Sequence, residues 1–155
     1  MINNELPENI VGFVLKPDAT SQQIITLLEN ELNHNDFTIL DSSRKKLTES
    51  QIELLHCVKG SWRYDPAKYK EYMMQDETIG YLAKHNALCS NDLFLFSKEL
   101  RGIHYEAYNC NNNSLRRKIH NILNKSEPHE NYLHVTDSKE ELNAFISIYF
   151  STRNL

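Results

Sequence analysis

Glycine is scarce: Gly12, Gly60, Gly80 and Gly102 are the only four in 155 residues. They are too widely spaced to write a GxxxxGK[ST] loop or a GxGxxG turn, which excludes P-loop and Rossmann nucleotide sites. Cysteine is scarce too. Cys57, Cys89 and Cys110 form an odd set without a CxxC pair, which argues against a zinc site or a disulfide framework and fits reduced thiols in a cytoplasmic compartment. Positive charge is not in excess, with 17 Lys and Arg against 21 Asp and Glu for a net −4. No basic field exists to gather nucleic acid, so general nucleic-acid binding is not expected. Long apolar runs are also missing. The longest, Ile10 to Leu15, has six residues against the roughly 20 that cross a bilayer, and no membrane partner is expected.

What is present is an ordinary globular balance, 40% hydrophobic and 25% charged, and the length makes residues 1–155 one expected domain. Residues 10–16 (IVGFVLK) read as a buried strand stopped by Lys16-Pro17-Asp18. Thr20 or Ser21 can cap a helix whose Ile24, Leu27, Leu28 and Leu32 recur at helical spacing, and Asn33 to Asp36 break it. Phe37 to Leu40 read as a second strand. Thr48-Glu49-Ser50-Gln51 is a capping box before Ile52, Leu55 and Val58, and Tyr64, Tyr69, Tyr72, Met73 and Met74 mark a further helical stretch after Pro66. Asp92 to Phe96 read as a third strand, and Leu115, Ile119, Ile122 and Leu123 as one helix face. Asn131 to His134 read as a fourth strand, and Ser138 starts a helix with Leu142, Phe145, Ile146 and Tyr149 inward. Two βαβ units in series predict an α+β fold, a ferredoxin-like βαββαβ sandwich with a four-stranded antiparallel sheet and helices packed on it.

Two distant segments carry chemistry: Val14-Leu15-Lys16-Pro17-Asp18-Ala19, and Asn131-Tyr132-Leu133-His134-Val135-Thr136-Asp137-Ser138. Together they resemble nucleoside diphosphate kinases, a family that pairs an early strand ending in K-P-D with a late N-x-x-H-[GA]-S-D-S stretch and a closing acidic helix. The resemblance implies transfer of a γ-phosphoryl from a nucleoside triphosphate to a nucleoside diphosphate through a phosphohistidine. His134 matches the nucleophile, Lys16 the phosphate-binding lysine, and Asn131 the asparagine on the ribose and phosphate side. The chemistry is reasonable for these residue types, because neutral imidazole is nucleophilic near pH 7 and a strand-end cation can neutralise charge on the transferred group. The family also uses an arginine on the helix after the third strand and another in a P-G-T-I-R turn. Arg116 and Arg117 stand for these in two registers: Ser114-Leu115-Arg116 in place of T-I-R, or, preferred, Arg116 or Arg117 as the helix arginine with Lys125 substituting for the second. Mg²⁺ is expected with ATP or another nucleoside triphosphate, held by phosphates rather than by a carboxylate cage. A homodimer or larger homo-oligomer is implied as well, with its loop contacts reduced.

The departures are specific. Val135 and Thr136 replace the Gly or Ala and the Ser after the histidine, and the glutamate that orients the histidine falls at or near Phe145, leaving Glu140 or Glu141 to serve it. The tyrosine near the lysine falls around Cys57, in His56-Cys57. These departures motivate an alternative, a catalytically weakened or inactive nucleotide-binding or protein-interaction module on the same fold. Trp62, Arg63 and Tyr64 are a possible partner surface.

Overall fold

A computed structural model describes residues 6–56, 65–125, 127 and 129–150. The apolar run IVGFVL forms β1 (Ile10–Leu15), buried along its whole length. That burial follows from its central place in a sheet ordered β2-β3-β1-β4, where β2 is Phe37–Lys45, β3 is Thr78–His85 and β4 is Leu133–Val135. All three neighbouring pairs are antiparallel, so the expected ferredoxin-like α+β arrangement is the one observed.

The period-2 alternation of a strand divides the core into two layers. Val11, Phe13 and Leu15 of β1, with Leu133 and Val135 of β4, pack against Ile24, Leu28 and Leu32 of α1 (Gln22–His34), Leu93 of α4 (Ser90–Arg101) and Ile119 of α5 (Leu115–Leu123). Ile10 and Val14 face the other way, onto Ile52 and Leu55 of α2 (Glu49–His56), Tyr69 and Met73 of α3 (Pro66–Met74), and Leu142 and Phe145 of α6 (Lys139–Tyr149). His134, between Leu133 and Val135, belongs to this second layer. So does Lys16, the next same-side position after Val14.

The caps read from sequence are formed. Ile24 N–H donates to Ser21 Oγ at 3.4 Å, and Glu141 N–H donates to Ser138 Oγ at 3.2 Å. Thr48 and Gln51 complete a reciprocal capping box, Thr48 N–H to Gln51 Oε1 at 3.0 Å and Gln51 N–H to Thr48 Oγ1 at 3.2 Å. One element is corrected. Asp92 to Phe96 lie within helix α4 and not in a strand. The run alternates at helical spacing, with Leu93 fully buried and Leu95 54% exposed. Asp92 in the first turn with Lys98 and Arg101 in the last complements the helix dipole. The third strand is instead Thr78–His85, where Gly80 and Lys84 interrupt the apolar alternation. Cys57, Val58, Trp62, Arg63, Tyr64 and Pro128 lie outside the described residues.

Candidate active site

β1 ends at Leu15, and Lys16 opens a short 3-10 turn, Pro17–Ala19, closed by Ala19 N–H donating to Lys16 O at 2.9 Å. The turn is pinned from α3, where the Tyr72 hydroxyl donates to Asp18 Oδ1 at 2.5 Å. The Lys16 side chain is 1% exposed. Its ammonium donates to Asn131 Oδ1 at 2.5 Å and lies 4.8 Å from the centre of the Tyr69 ring. Two segments 115 residues apart therefore meet in one side-chain contact. Burial, then the nearby Arg116 charge, pushes the Lys16 ammonium well below its usual value, with Asp18 opposing.

His134 is held from two sides. Its buried Nε2 is 3.3 Å from Glu141 Oε1, an ion-pair distance without hydrogen-bond geometry, and Glu141 Oε1 also accepts from Asp137 N–H at 3.3 Å. The His56 ring contacts it at 4.3 Å between centroids. Burial, followed by the charges of Lys16, Arg101 and Arg116, holds His134 well below the usual histidine range. The ring is therefore a neutral imidazole at pH 7, the form that can attack phosphorus. Of the two alternatives weighed from sequence, Glu141 is the acid beside the histidine. Phe145 cannot host a carboxylate without loss, because its ring fills the space over Gly12, 2.6 Å from where a Cβ there would stand. Thr136 is also committed to β1: Gly12 N–H donates to its hydroxyl at 3.0 Å and its own N–H donates to Gly12 O at 2.9 Å.

The remaining expected phosphate donors hold main-chain carbonyls. Arg116, 4% exposed, donates to Leu133 O at 2.9 and 3.1 Å, to His104 O at 3.0 Å and to Gly102 O at 3.5 Å. Asn131 Nδ2 donates to Tyr105 O at 2.6 Å. Arg117 donates to Tyr108 O and Cys110 O at 3.1 and 3.3 Å. Lys16, Asn131, His134 and Arg116 are thus brought together, while Arg117 fastens the 108–110 segment. Lys125 pairs with Glu130 at 3.8 Å. Because β3 is followed directly by α4, the helix after the third strand ends at Arg101, and Arg116 and Arg117 lie instead on the next helix, α5. Sequence reading missed Arg101 and Tyr69 as site residues, and reached His56 only as the neighbour of Cys57 where the family's tyrosine falls. Arg101 just before Gly102 was findable once α4 was recognised; His56 and Tyr69 become neighbours only through packing of α2 on α3. Among the described residues, no group of three or more His, Cys, Asp or Glu could hold a metal ion.

The architecture matches solved nucleoside diphosphate kinases. That of Encephalitozoon cuniculi, in its apo form, superposes with a TM-score of 0.71 over 92% of this chain and 88% of that one, at 14% identity. That of Aquifex aeolicus gives 0.71 over 90% and 93%, at 15% identity. At this identity the likeness is one of fold. No protein-family model and no curated protein matches the sequence.

Proposed function

We propose that this chain is a nucleoside diphosphate kinase that moves a γ-phosphoryl between nucleotides through His134. One observation carries the reading: Lys16 and Asn131 are in contact on the face of the sheet that bears His134, whose Nε2 lies 3.3 Å from Glu141 Oε1. With Nε2 beside Glu141, the nitrogen left to react is Nδ1. Its lone pair forms the P–N bond as the bond from phosphorus to the β,γ-bridging oxygen breaks and the diphosphate leaves. The proton stays on Nε2, where the Glu141 carboxylate balances the positive charge that develops on the ring. A second diphosphate then attacks the phosphorus and the imidazole departs unchanged. Lys16 offsets charge on the transferred group, and Mg²⁺ enters as part of the substrate, bound by phosphate oxygens.

The test is incubation with γ-labelled ATP and Mg²⁺. Acid-labile label on the protein, discharged by added diphosphate and abolished in His134→Gln, is the expected result; label that persists in His134→Gln refutes the assignment. The alternative, a nucleotide-binding or interaction module with little turnover, is favoured by the capture of Arg116 and Asn131 by carbonyls, and nucleotide binding without labelling would establish it. We place this activity in the cytoplasm; among the described residues no helix is long and apolar enough to cross a membrane. We also propose a homodimer at least, because edge strand β2 leaves Leu40 49% exposed; light scattering that returns a strict monomer overturns this.

A further inference from the structure

His56, the last residue of α2, and Tyr69 of α3 form a connected set with both reactive groups. The Tyr69 ring lies under the Lys16 ammonium, 4.8 Å from ring centre to nitrogen. Its hydroxyl is 2.8 Å from His56 Nε2. The His56 ring then meets the His134 ring at 4.3 Å and 62°. Tyr69 is fully buried, so its hydroxyl needs a protein partner, and His56 supplies one. His56 meets His134 by ring contact, and Tyr69 meets His56 through its hydroxyl, so the pair acts on His134 through the ring.

We propose that His56 and Tyr69 are a positioning pair that sets the plane of the nucleophile relative to the phosphate lysine. Glu141 Oε1 faces one atom of the His134 ring without a hydrogen bond, which leaves the ring plane free to turn about the Cβ–Cγ bond. The His56 ring, packed against it at 62°, restricts that freedom. Tyr69 ties the His56 ring to Lys16, so lysine and nucleophile approach phosphorus at a fixed separation. An alignment held in this way acts on the rate of transfer and not on nucleotide affinity. His134 is faced by Lys16 and Asp137 beside the strand ends, Arg101 from α4, Arg116 from α5, Glu141 from α6 and His56 from α2, and only the last belongs to the pair.

The inference rests on His134 as nucleophile, so the experiment has one readout that needs no activity. Two variants divide the set. Tyr69→Phe keeps the ring under Lys16 and removes the hydroxyl; His56→Gln keeps a hydrogen-bonding group near Nε2 and removes the ring. In single-turnover labelling with Mg·ATP, each is expected to lower the phosphorylation rate roughly tenfold with nucleotide affinity unchanged. In ¹⁵N imidazole spectra, wild-type His134 is expected as a single tautomer protonated at Nε2. Both variants should show a tautomer mixture, and in His56→Gln a titration midpoint moved up as water reaches the ring. Folded variants whose His134 nitrogen shifts, midpoint and labelling rate equal those of the wild type overturn the pair. A wild-type chain that takes no label, yet whose His134 tautomer changes in Tyr69→Phe, refutes the kinase reading and leaves the pair standing.

Discussion

Replacing Arg116 by Ala tests whether the guanidinium is first a structural clamp. The residue is 4% exposed, and its strongest bonds run to Leu133 O, through Nε at 3.1 Å and Nη2 at 2.9 Å, and to His104 O at 3.0 Å. A hydrogen bond from a charged donor contributes about 1.5–3 kcal/mol, and a buried carbonyl left alone costs about 1–3 kcal/mol. Losing such a donor at Leu133 O and at His104 O, the second of which keeps the Cys110 thiol at 3.1 Å, gives about 3–6 kcal/mol. The loss is offset in part because removing a buried cation relieves the Lys16 ammonium, whose proton affinity Arg116 depresses. The expected net loss is about 3 kcal/mol, or about 6–12 °C in Tm for a chain of this size. Urea unfolding measures it, with the m-value as a check that the compactness of either state has not changed. Arg117→Ala is the comparison; its two bonds leave from a single nitrogen, and about 1 kcal/mol is expected. An Arg116→Ala protein within about 0.5 kcal/mol of wild type would refute the clamp. It would mean that water reaches Leu133 O and His104 O once the side chain is gone.

Added Mg·ATP should speed hydrogen exchange across residues 104–110, because a phosphate taking Arg116 and Asn131 displaces the carbonyls of His104 and Tyr105; protection there would show that the donors are not exchanged. His56 and His134 are both held neutral by burial, well below the free value of 6.5. Below that pH the unfolded chain binds protons that the fold refuses, so their stability contribution is complete above pH 6.5 and falls with acidification, by up to about 1.4 kcal/mol per pH unit for each site. Chemical denaturation between about pH 7.5 and 5.5 checks the sign, and a slope unchanged in His56→Gln would contradict it. Gly12→Ala should cost about 1–3 kcal/mol, since its Cβ would stand 2.6 to 2.8 Å from the Phe145 ring. Phe145→Leu in the same chain should restore part of that loss in a thermal melt.

The elements legible in the sequence are those that announce themselves locally. β1 is an uninterrupted apolar run, and α1, α2 and α6 each start at a hydroxyl cap that the structure forms. The error at Asp92 to Phe96 also has a local origin, because five residues are too few to separate a period of 2 from one of 3.6. Lys16, Asn131 and His134 could be named because their segments have a distinctive residue order. Their surroundings could not be. The partner of Tyr69 is 13 residues away, that of Asn131 Nδ2 is 26 away and one clamp of Arg116 is 17 away. No short-range pattern specifies such contacts; they exist only after α2, α3 and the 102–110 segment have packed.

Strand alternation alone would also have separated two of the site residues. In a regular strand, Asn131 shares a face with Leu133, toward α1 and α5, and His134 points the other way. The chain avoids this at Tyr132, whose φ of 72° lies in the left-handed region that a bulky side chain rarely adopts. Leu133 N–H donates to Asn131 O at 2.8 Å across it, closing a γ-turn. Such a backbone costs about 1–3 kcal/mol unless its surroundings fix it. Here they do so at both ends of the residue: Tyr132 O accepts from Lys16 N–H at 2.8 Å, and its buried hydroxyl is 2.9 Å from His120 Nδ1 and accepts from Lys125 N–H at 2.8 Å. The turn swings Asn131 onto the Lys16 side while Leu133 to Val135 keep their register with β1. The contact between Asn131 and Lys16 and the position of His134 in the sheet are thus two results of one strained residue, held by Lys16 N–H at its carbonyl and by His120 of α5 and Lys125 N–H at its hydroxyl.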